Sequence, residues 1–210
     1  MSLTRLSVAD ASAHTLAGLA PLPAELVALR DSLGRVLARD VVSPVSLPPW
    51  DNASMDGFAV LADDVRGASA SAPVRLRVVE TIAAGARGSR VVGRGEAARI
   101  MTGAPMPAGA DSVVRVEDSE TEGVHVEIRD DRDVSSNIRM AGEDVGVGVT
   151  VMRAGTTLGP AQLGVLASVG CAAPWVHRRV RVAILATGDE LVTLDAFDQV
   201  LSGQRIVSSN

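Results

Sequence analysis

The chain contains no lysine and no tyrosine, a single cysteine, and four aromatic residues among 210 positions. With every one of its 20 cationic side chains an arginine, a Walker-type phosphate lysine and a Schiff-base lysine are both excluded. The missing tyrosines remove one class of general acid. Trp50, Phe58, Trp175 and Phe197 make up 2% of the chain, and the net charge is -5. A nucleic-acid binder shows a basic patch and stacking aromatics, so no nucleic-acid partner is expected. Cys171 alone cannot form an internal disulfide, which agrees with a reducing, cytoplasmic setting. Met1 to Thr4 lacks the apolar run of a signal peptide. His14, His125 and His177 are far apart, without metal-ligand spacing, and read as surface or packing histidines.

Hydrophobic residues form 47% of the chain, enough for a sizeable core in one large or two small domains. Residues 154 to 176 carry no charge, a length that could span a bilayer. That segment is punctuated by Gly155, Gly159, Pro160, Gly164, Gly170 and Pro174. It therefore reads as a short buried helix, opened by Gly159-Pro160 and closed by Gly170, and not as a membrane span.

Ser7 can cap a first helix running to about Ala20, ended by Pro21 and Pro23. Short apolar runs between Glu25 and Val42 flank Gly34 and suit strands with a turn between them. Pro44, Pro48 and Pro49 make a stiff connector and a candidate domain boundary. From residue 58 to 130 the pattern is all-β, with period-two alternation in Val74–Val78 and Val124–Ile128. A second boundary falls near Gly142 to Gly148. Val180 to Ala186 reads as a buried strand leading through Thr187-Gly188-Asp189-Glu190 into a helix, as a doubly wound α/β domain begins.

Four polar blocks stand out: Pro48-Pro49-Trp50-Asp51-Asn52-Ala53-Ser54-Met55-Asp56-Gly57-Phe58-Ala59-Val60, Arg99-Ile100-Met101-Thr102-Gly103-Ala104-Pro105-Met106-Pro107-Ala108-Gly109-Ala110-Asp111, Asn137-Ile138-Arg139-Met140-Ala141-Gly142-Glu143-Asp144, and Ala186-Thr187-Gly188-Asp189-Glu190-Leu191. Singly, each has an ordinary explanation. Asp56-Gly57 is a common turn pair, and Thr187 with Glu190 fits a helix capping box. Arg87, Arg90, Arg94 and Arg99 read as a solvated basic face. Only Arg139, beside Glu143 and Asp144, hints by itself at an anion site.

Taken in order, the four blocks resemble those of the molybdopterin molybdenumtransferases, the MoeA type, whose eukaryotic relatives include the carboxy-terminal domain of gephyrin. Gly155-Thr156-Thr157-Leu158-Gly159-Pro160-Ala161-Gln162-Leu163-Gly164 is a fifth matching block, so the resemblance covers essentially the whole chain. Ala53-Ser54 reverses the family's usual order, Phe58 replaces a tyrosine, and Ser208 stands where the family prefers aspartate.

The resemblance implies a mostly β, α+β multidomain fold. A discontinuous linker or dimerisation domain (1-45 and 147-178) would carry an inserted β-rich domain (46-146). Residues 179-210 would start a truncated α/β molybdopterin-binding domain. It further implies molybdenum cofactor biosynthesis, in which molybdenum from molybdate enters adenylated molybdopterin with release of AMP, supported by Mg2+. The family is homodimeric, and molybdopterin adenylyltransferase is a further implied partner. Asp56, Thr102, Asp144 and Glu190 are the implied catalytic residues. Asn52, Arg139, Thr187, Gly188 and Asp189 are the implied substrate contacts. This amino-terminal part alone is expected to be inactive. The alternative implied by gephyrin is a non-catalytic scaffold that captures other proteins.

Overall fold

The computed structural model describes residues 6–193, Val200 and 206–207. In chain order the elements are helix α1 (Val8–Leu16), strands β1 (Ala24–Leu26), β2 (Val41–Val42), β3 (Asn52–Ala53) and β4 (Gly57–Val60), helix α2 (Ala62–Val65), strands β5 (Val74–Ile82), β6 (Glu96–Ile100), β7 (Ser112–Arg115), β8 (Ser119–Glu122), β9 (His125–Ile128), β10 (Ile138–Arg139) and β11 (Thr150–Met152), helix α3 (Pro160–Ser168), and strands β12 (Trp175–His177), β13 (Leu191–Val192) and β14 (Ile206–Val207). They divide between two compact units, one spanning Leu26–Val176 and the other formed by Met1–Glu25 with His177–Asn210.

The larger unit is built on a six-stranded sheet in the order β7-β4-β6-β5-β9-β8. Only β5 and β6 run parallel; the other neighbours are antiparallel. The inner strand β4, next to the edge strand β7, is an uninterrupted apolar run, which suits a strand covered on both faces. Successive side chains alternate between faces. Phe58 and Val60 join Ala97, Val114, Leu76, Val126 and Ile128 in one apolar cluster. Ala59 joins Ala98, Ile100, Val113 and Ile82 in the other. The all-β expectation for 58 to 130 is thus met by β4 to β9, with only short helical turns between them.

The outer edge of β7 is covered by the segment 133–137. Val113 donates its N–H to the Ser136 carbonyl at 3.1 Å, and Asn137 Nδ2 donates to the Val113 carbonyl at 2.9 Å. An edge strand closed in this way offers no free ladder to another chain. Asn137 has a φ of 63°, a left-handed conformation that asparagine tolerates better than most residues, and the chain passes directly from it into β10.

A third apolar cluster is formed by the flanks of this sheet region. Leu37, Met152, Leu158, Leu166 and Val176 are buried together, with Val27, Leu29 and Val41 against them. Strand β2 pairs antiparallel with β11, and the turn at Gly34, with φ +73°, lets its N–H reach the Leu158 carbonyl at 2.7 Å. Helix α3 begins where Gly159-Pro160 predicts, with Gln162 Oε1 reaching back to the Gly159 N–H at 3.2 Å, and it gives way to Gly170 in a left-handed conformation at φ +75°. The expectation that it is buried is corrected, since only Leu166 within α3 is buried. An uncharged helix is not buried by composition alone; it needs neighbours on every side. Among the described residues no helix is long and apolar enough to cross a membrane.

In the smaller unit Ser7 caps α1, its hydroxyl accepting the Asp10 N–H at 3.1 Å. The helix stops at Leu16, ahead of the expected Ala20, and Gly18 follows with φ +88°. The expected strand at Val180 to Ala186 is absent: residues 178–188 have no regular secondary structure. Val180, Val182, Ile184 and Leu185 are 72%, 76%, 69% and 84% exposed. A strand needs a neighbour for its backbone groups, and an apolar run supplies none. The helix expected after Thr187 is also corrected. Asp189 and Glu190 form a turn that enters β13, which pairs parallel with β14. Ser208 lies outside the described residues.

Candidate functional site

Three of the four polar blocks come together in the larger unit, with β3 in the middle. Asn52 pairs with Arg139, and Ala53 with Ile138, in the antiparallel β3–β10 ladder. On the other side, the Ala53 N–H bonds the Ala104 carbonyl at 3.0 Å, and the Gly103 N–H bonds the Ala53 carbonyl at 2.8 Å. The Met106 N–H reaches the Asp51 carbonyl at 2.9 Å. Residues separated by up to 87 positions, from Asn52 to Arg139, are thereby held in fixed register by backbone pairing.

Asp56 follows β3 at the surface. Its Oδ1 accepts both the Thr102 N–H and the Thr102 hydroxyl, each at 2.7 Å. The Thr102 N–H first, then the hydroxyl, outweigh partial burial, and Arg99 adds a weaker push in the same direction. Together they hold the Asp56 carboxyl below the usual carboxylate range, so it stays ionised. Replacing Thr102 by valine removes the hydroxyl and leaves the N–H. The Asp56 pKa, followed by carboxyl-carbon NMR, is expected to move part of the way back toward its ordinary value. No movement would show that the hydroxyl does not bear on this carboxylate.

Arg139, in β10, points into its own block. Its Nε meets Glu143 Oε1 at 2.5 Å and its Nη2 meets Asp144 Oδ2 at 2.5 Å, which raise its pKa further above the ordinary guanidinium value. Glu143 also accepts the Met140 N–H at 2.9 Å. Asp51 Oδ1 accepts the Ala141 N–H at 2.7 Å, tying the first block to the third. The Asp144 and Gly142 N–H groups bond the Leu47 and Pro48 carbonyls at 3.0 and 2.9 Å. Arg139 is therefore an ordered, already partnered cation, and not an open anion cradle. Asn52 is buried to 7% exposure, with its Nδ2 on the Trp50 carbonyl at 3.2 Å, so its side chain shapes the loop.

The fourth block, with Thr187, Gly188, Asp189 and Glu190, belongs to the smaller unit. There the Glu190 carboxylate folds back against Gly188, and the Leu191 N–H bonds the Gly188 carbonyl at 3.1 Å. One connecting residue was not singled out from sequence, Asp51. Asp51 lay within a recognised block, but its bond to Ala141 crosses 90 residues and has no local signature. Glu143, noted beside Arg139 in the sequence, stands at the i,i+4 spacing that joins the pair.

Among the described residues no three histidine, cysteine or carboxylate side chains converge in a way that could hold a metal ion. Asp56 is engaged with Thr102, and Asp144 with Arg139. Magnesium keeps most of its waters and uses one or two carboxylates with substrate oxygens. The described donors do not fit a magnesium ion held by protein alone.

The residues 6–170 match the family described as MoeA N-terminal region (domain I and II). A protein from Nostoc sp. (strain PCC 7120 / SAG 25.82 / UTEX 2576) named molybdopterin molybdenumtransferase is 42% identical over 186 residues, covering 89% of this chain and 42% of that protein. Molybdopterin molybdenumtransferase 2 of Mycobacterium tuberculosis (strain ATCC 25618 / H37Rv) is 44% identical over 167 residues, covering 80% and 41%. A crystal structure of a molybdopterin biosynthesis moeA protein from Pyrococcus horikoshii OT3 superposes with a TM-score of 0.83 at 34% identity, covering 90% of this chain and 49% of that one. The sheet and the motif blocks joined beside it are thus those of a MoeA N-terminal region. The chain belongs to the MoeA family, and it spans less than half the length of the relatives it matches.

Proposed function

We propose that this chain supplies part of the site that inserts molybdenum from molybdate into adenylated molybdopterin with release of AMP. The observation that supports it best is the convergence on β3 of the Asp56–Thr102 and Arg139–Asp144 pairs, side chains from three separated blocks. An ionised Asp56, held at Oδ1 by Thr102, leaves Oδ2 without a protein donor among the described residues. It can orient a hydroxyl or water, or take a proton, at the substrate. Asp144, fixed by Arg139, plays the same kind of orienting part nearby, and Glu190 positions the pterin. Substrate contacts from Thr187, Gly188 and Asp189 complete the reading.

The same reading gives a discontinuous organisation, residues 1-45 with 147-178 carrying an inserted unit 46-146, and residues 179-210 opening a third domain. Support comes from the separate apolar cluster shared by 27–41 and 152–176. The same proposal takes the full-length protein to be a homodimer in the cytoplasm, handed its substrate by a molybdopterin adenylyltransferase and assisted by magnesium.

The test is made at the full length of the relatives. Asp56→Asn is expected to lower molybdenum insertion about 10²-fold, the size of a lost acid–base or orienting group, with the melting temperature little changed because Asp56 is exposed. Asp144→Asn and Glu190→Gln are expected to follow it. Normal AMP release from all three variants would overturn the roles given to these residues, whereas no AMP release by the unchanged full-length protein would favour a non-catalytic capture module.

A further inference from the structure

The arginines that look like one basic face in the sequence separate in the fold. Arg94 pairs with Asp64 at 3.0 Å. Arg87 lies over the Trp50 ring at 5.1 Å. Arg99 stands in β6 directly opposite Phe58, its guanidinium carbon 5.4 Å from the ring centroid. Phe58 is wholly buried, so one face of the Arg99 fork rests on the rim of the apolar core and the group is half-buried. Among the described residues Arg99 makes no direct ion pair, whereas Arg115 and Arg139 are each held by two carboxylates.

Its position gives this cation a use. Register sets Gly57 opposite Ile100 and Phe58 opposite Arg99, which brings Arg99 beside Asp56, and Thr102 follows three residues later on the same chain. Resting on the reading of this cluster as a substrate site, we propose that Arg99 is its oxyanion contact, receiving a tetrahedral oxyanion that is either molybdate or the phosphate of the adenylated substrate. A guanidinium drawn partly out of water gains from a counter-charge, and its planar fork matches the edge of a tetrahedral oxyanion. Arg139 already has two carboxylates, Glu143 and Asp144, against it, so an oxyanion beside it meets two negative charges as well as the cation. Thr102 keeps Asp56 ionised, and that negative charge repels an incoming oxyanion unless a cation stands beside it. Removing Arg99 therefore costs more than removing an arginine elsewhere on the surface.

Isothermal titration with sodium molybdate alone and with AMP alone, at low ionic strength and at the full length of the relatives, separates the two sources. Arg99→Gln is expected to weaken one of them by about tenfold or more, the size of a lost charged hydrogen bond. Arg99→Lys keeps the charge but loses the fork, and is expected to fall between Arg99→Gln and the unchanged protein. Arg87→Gln is expected to bind as the unchanged protein does. A loss confined to molybdate assigns the site to the metal oxyanion; a loss confined to AMP assigns it to the phosphate. If Arg99→Gln unfolds, the lysine variant carries the test, because it keeps a cation over Phe58. Turnover by the lysine variant should show a raised KM for the affected anion with kcat retained. Unchanged affinity for both anions in the Arg99 variants, or no binding of either by the unchanged protein, overturns the proposal. Cofactor formation by the unchanged protein is scored separately: turnover with Arg99-independent binding removes this inference alone, and absent turnover removes the substrate reading.

Discussion

Gly57→Ala is expected to lower the unfolding free energy by about 3 kcal/mol, while Gly164→Ala raises it by about 0.5–1 kcal/mol. The two glycines look equivalent in the sequence, and the structure separates them by what surrounds each. A Cβ on Gly57 would land on the backbone carbonyl oxygen of Val114, with the Val114 carbonyl carbon at 2.9 Å and Arg115 Cα at 3.0 Å. None of these atoms can swing aside as a flexible side-chain tip could. The β4 and β7 strands would have to separate, and they carry Phe58, Ala59, Val113 and Val114, all wholly buried. Gly164 instead lies inside α3 with open space around it, so alanine there restricts the unfolded chain and improves helix propensity without a clash. Because Asp56 is bonded to Gly57, a displaced β4 also loosens the Asp56–Thr102 pair. Urea denaturation measures both variants, and equal effects of one sign would show that β4 and β7 have more freedom than their packing allows.

The legible parts of this molecule are those written locally. The alternation in Val74–Val78 and Val124–Ile128 gave strands because each has one covered face, and the Ser7 cap and the Gly159-Pro160 opening placed two helix starts. The motif blocks were readable as blocks, and three of them meet. What joins them was not readable, because Asp51 to Ala141, Asp56 to Thr102 and Ala53 to Ala104 are bonds across 46 to 90 residues, and nothing in a short window encodes a distant partner. The errors share one cause. Val180 to Ala186 is apolar enough to be a buried strand, and α3 uncharged enough to be a buried helix, yet burial belongs to the neighbours and not to the segment. Arg139 is the converse case, since the two carboxylates it meets were already visible four and five residues on.

Asp133→Ala is expected to cost about 3–5 kcal/mol at neutral pH, the scale of breaking a buried ion pair by removing one partner. Asp133 is 3% exposed. One of its carboxylate oxygens accepts the Arg115 N–H at 3.1 Å and Nε at 2.9 Å, the other accepts Nη2 at 2.9 Å, and its backbone carbonyl takes the Ser112 hydroxyl at 2.7 Å. Arg115 retains Asp118 at 3.6 Å and partial contact with water, which moves the expectation toward the lower end of that range. The Arg115 guanidinium, against the opposing effect of burial, holds the Asp133 carboxyl below its ordinary value. A carboxylate whose folded pKa is depressed stabilises fully above its unfolded pKa of about 3.9 and loses that contribution as pH falls through the lower folded value. The gap between Asp133→Ala and the unchanged protein should therefore be full at pH 7 and narrow below about pH 4. The functional consequence follows the chain: Asp133 fastens the segment that covers β7, Asn137 turns that segment into β10, and β10 carries Arg139 beside Asn52. Loosening the anchor should widen the amide-exchange rates of 134–141 before it unfolds the sheet. A pH-independent difference in stability, or protection at 134–141 equal to that of the unchanged protein, would show that the ion pair does not hold this part of the site in place.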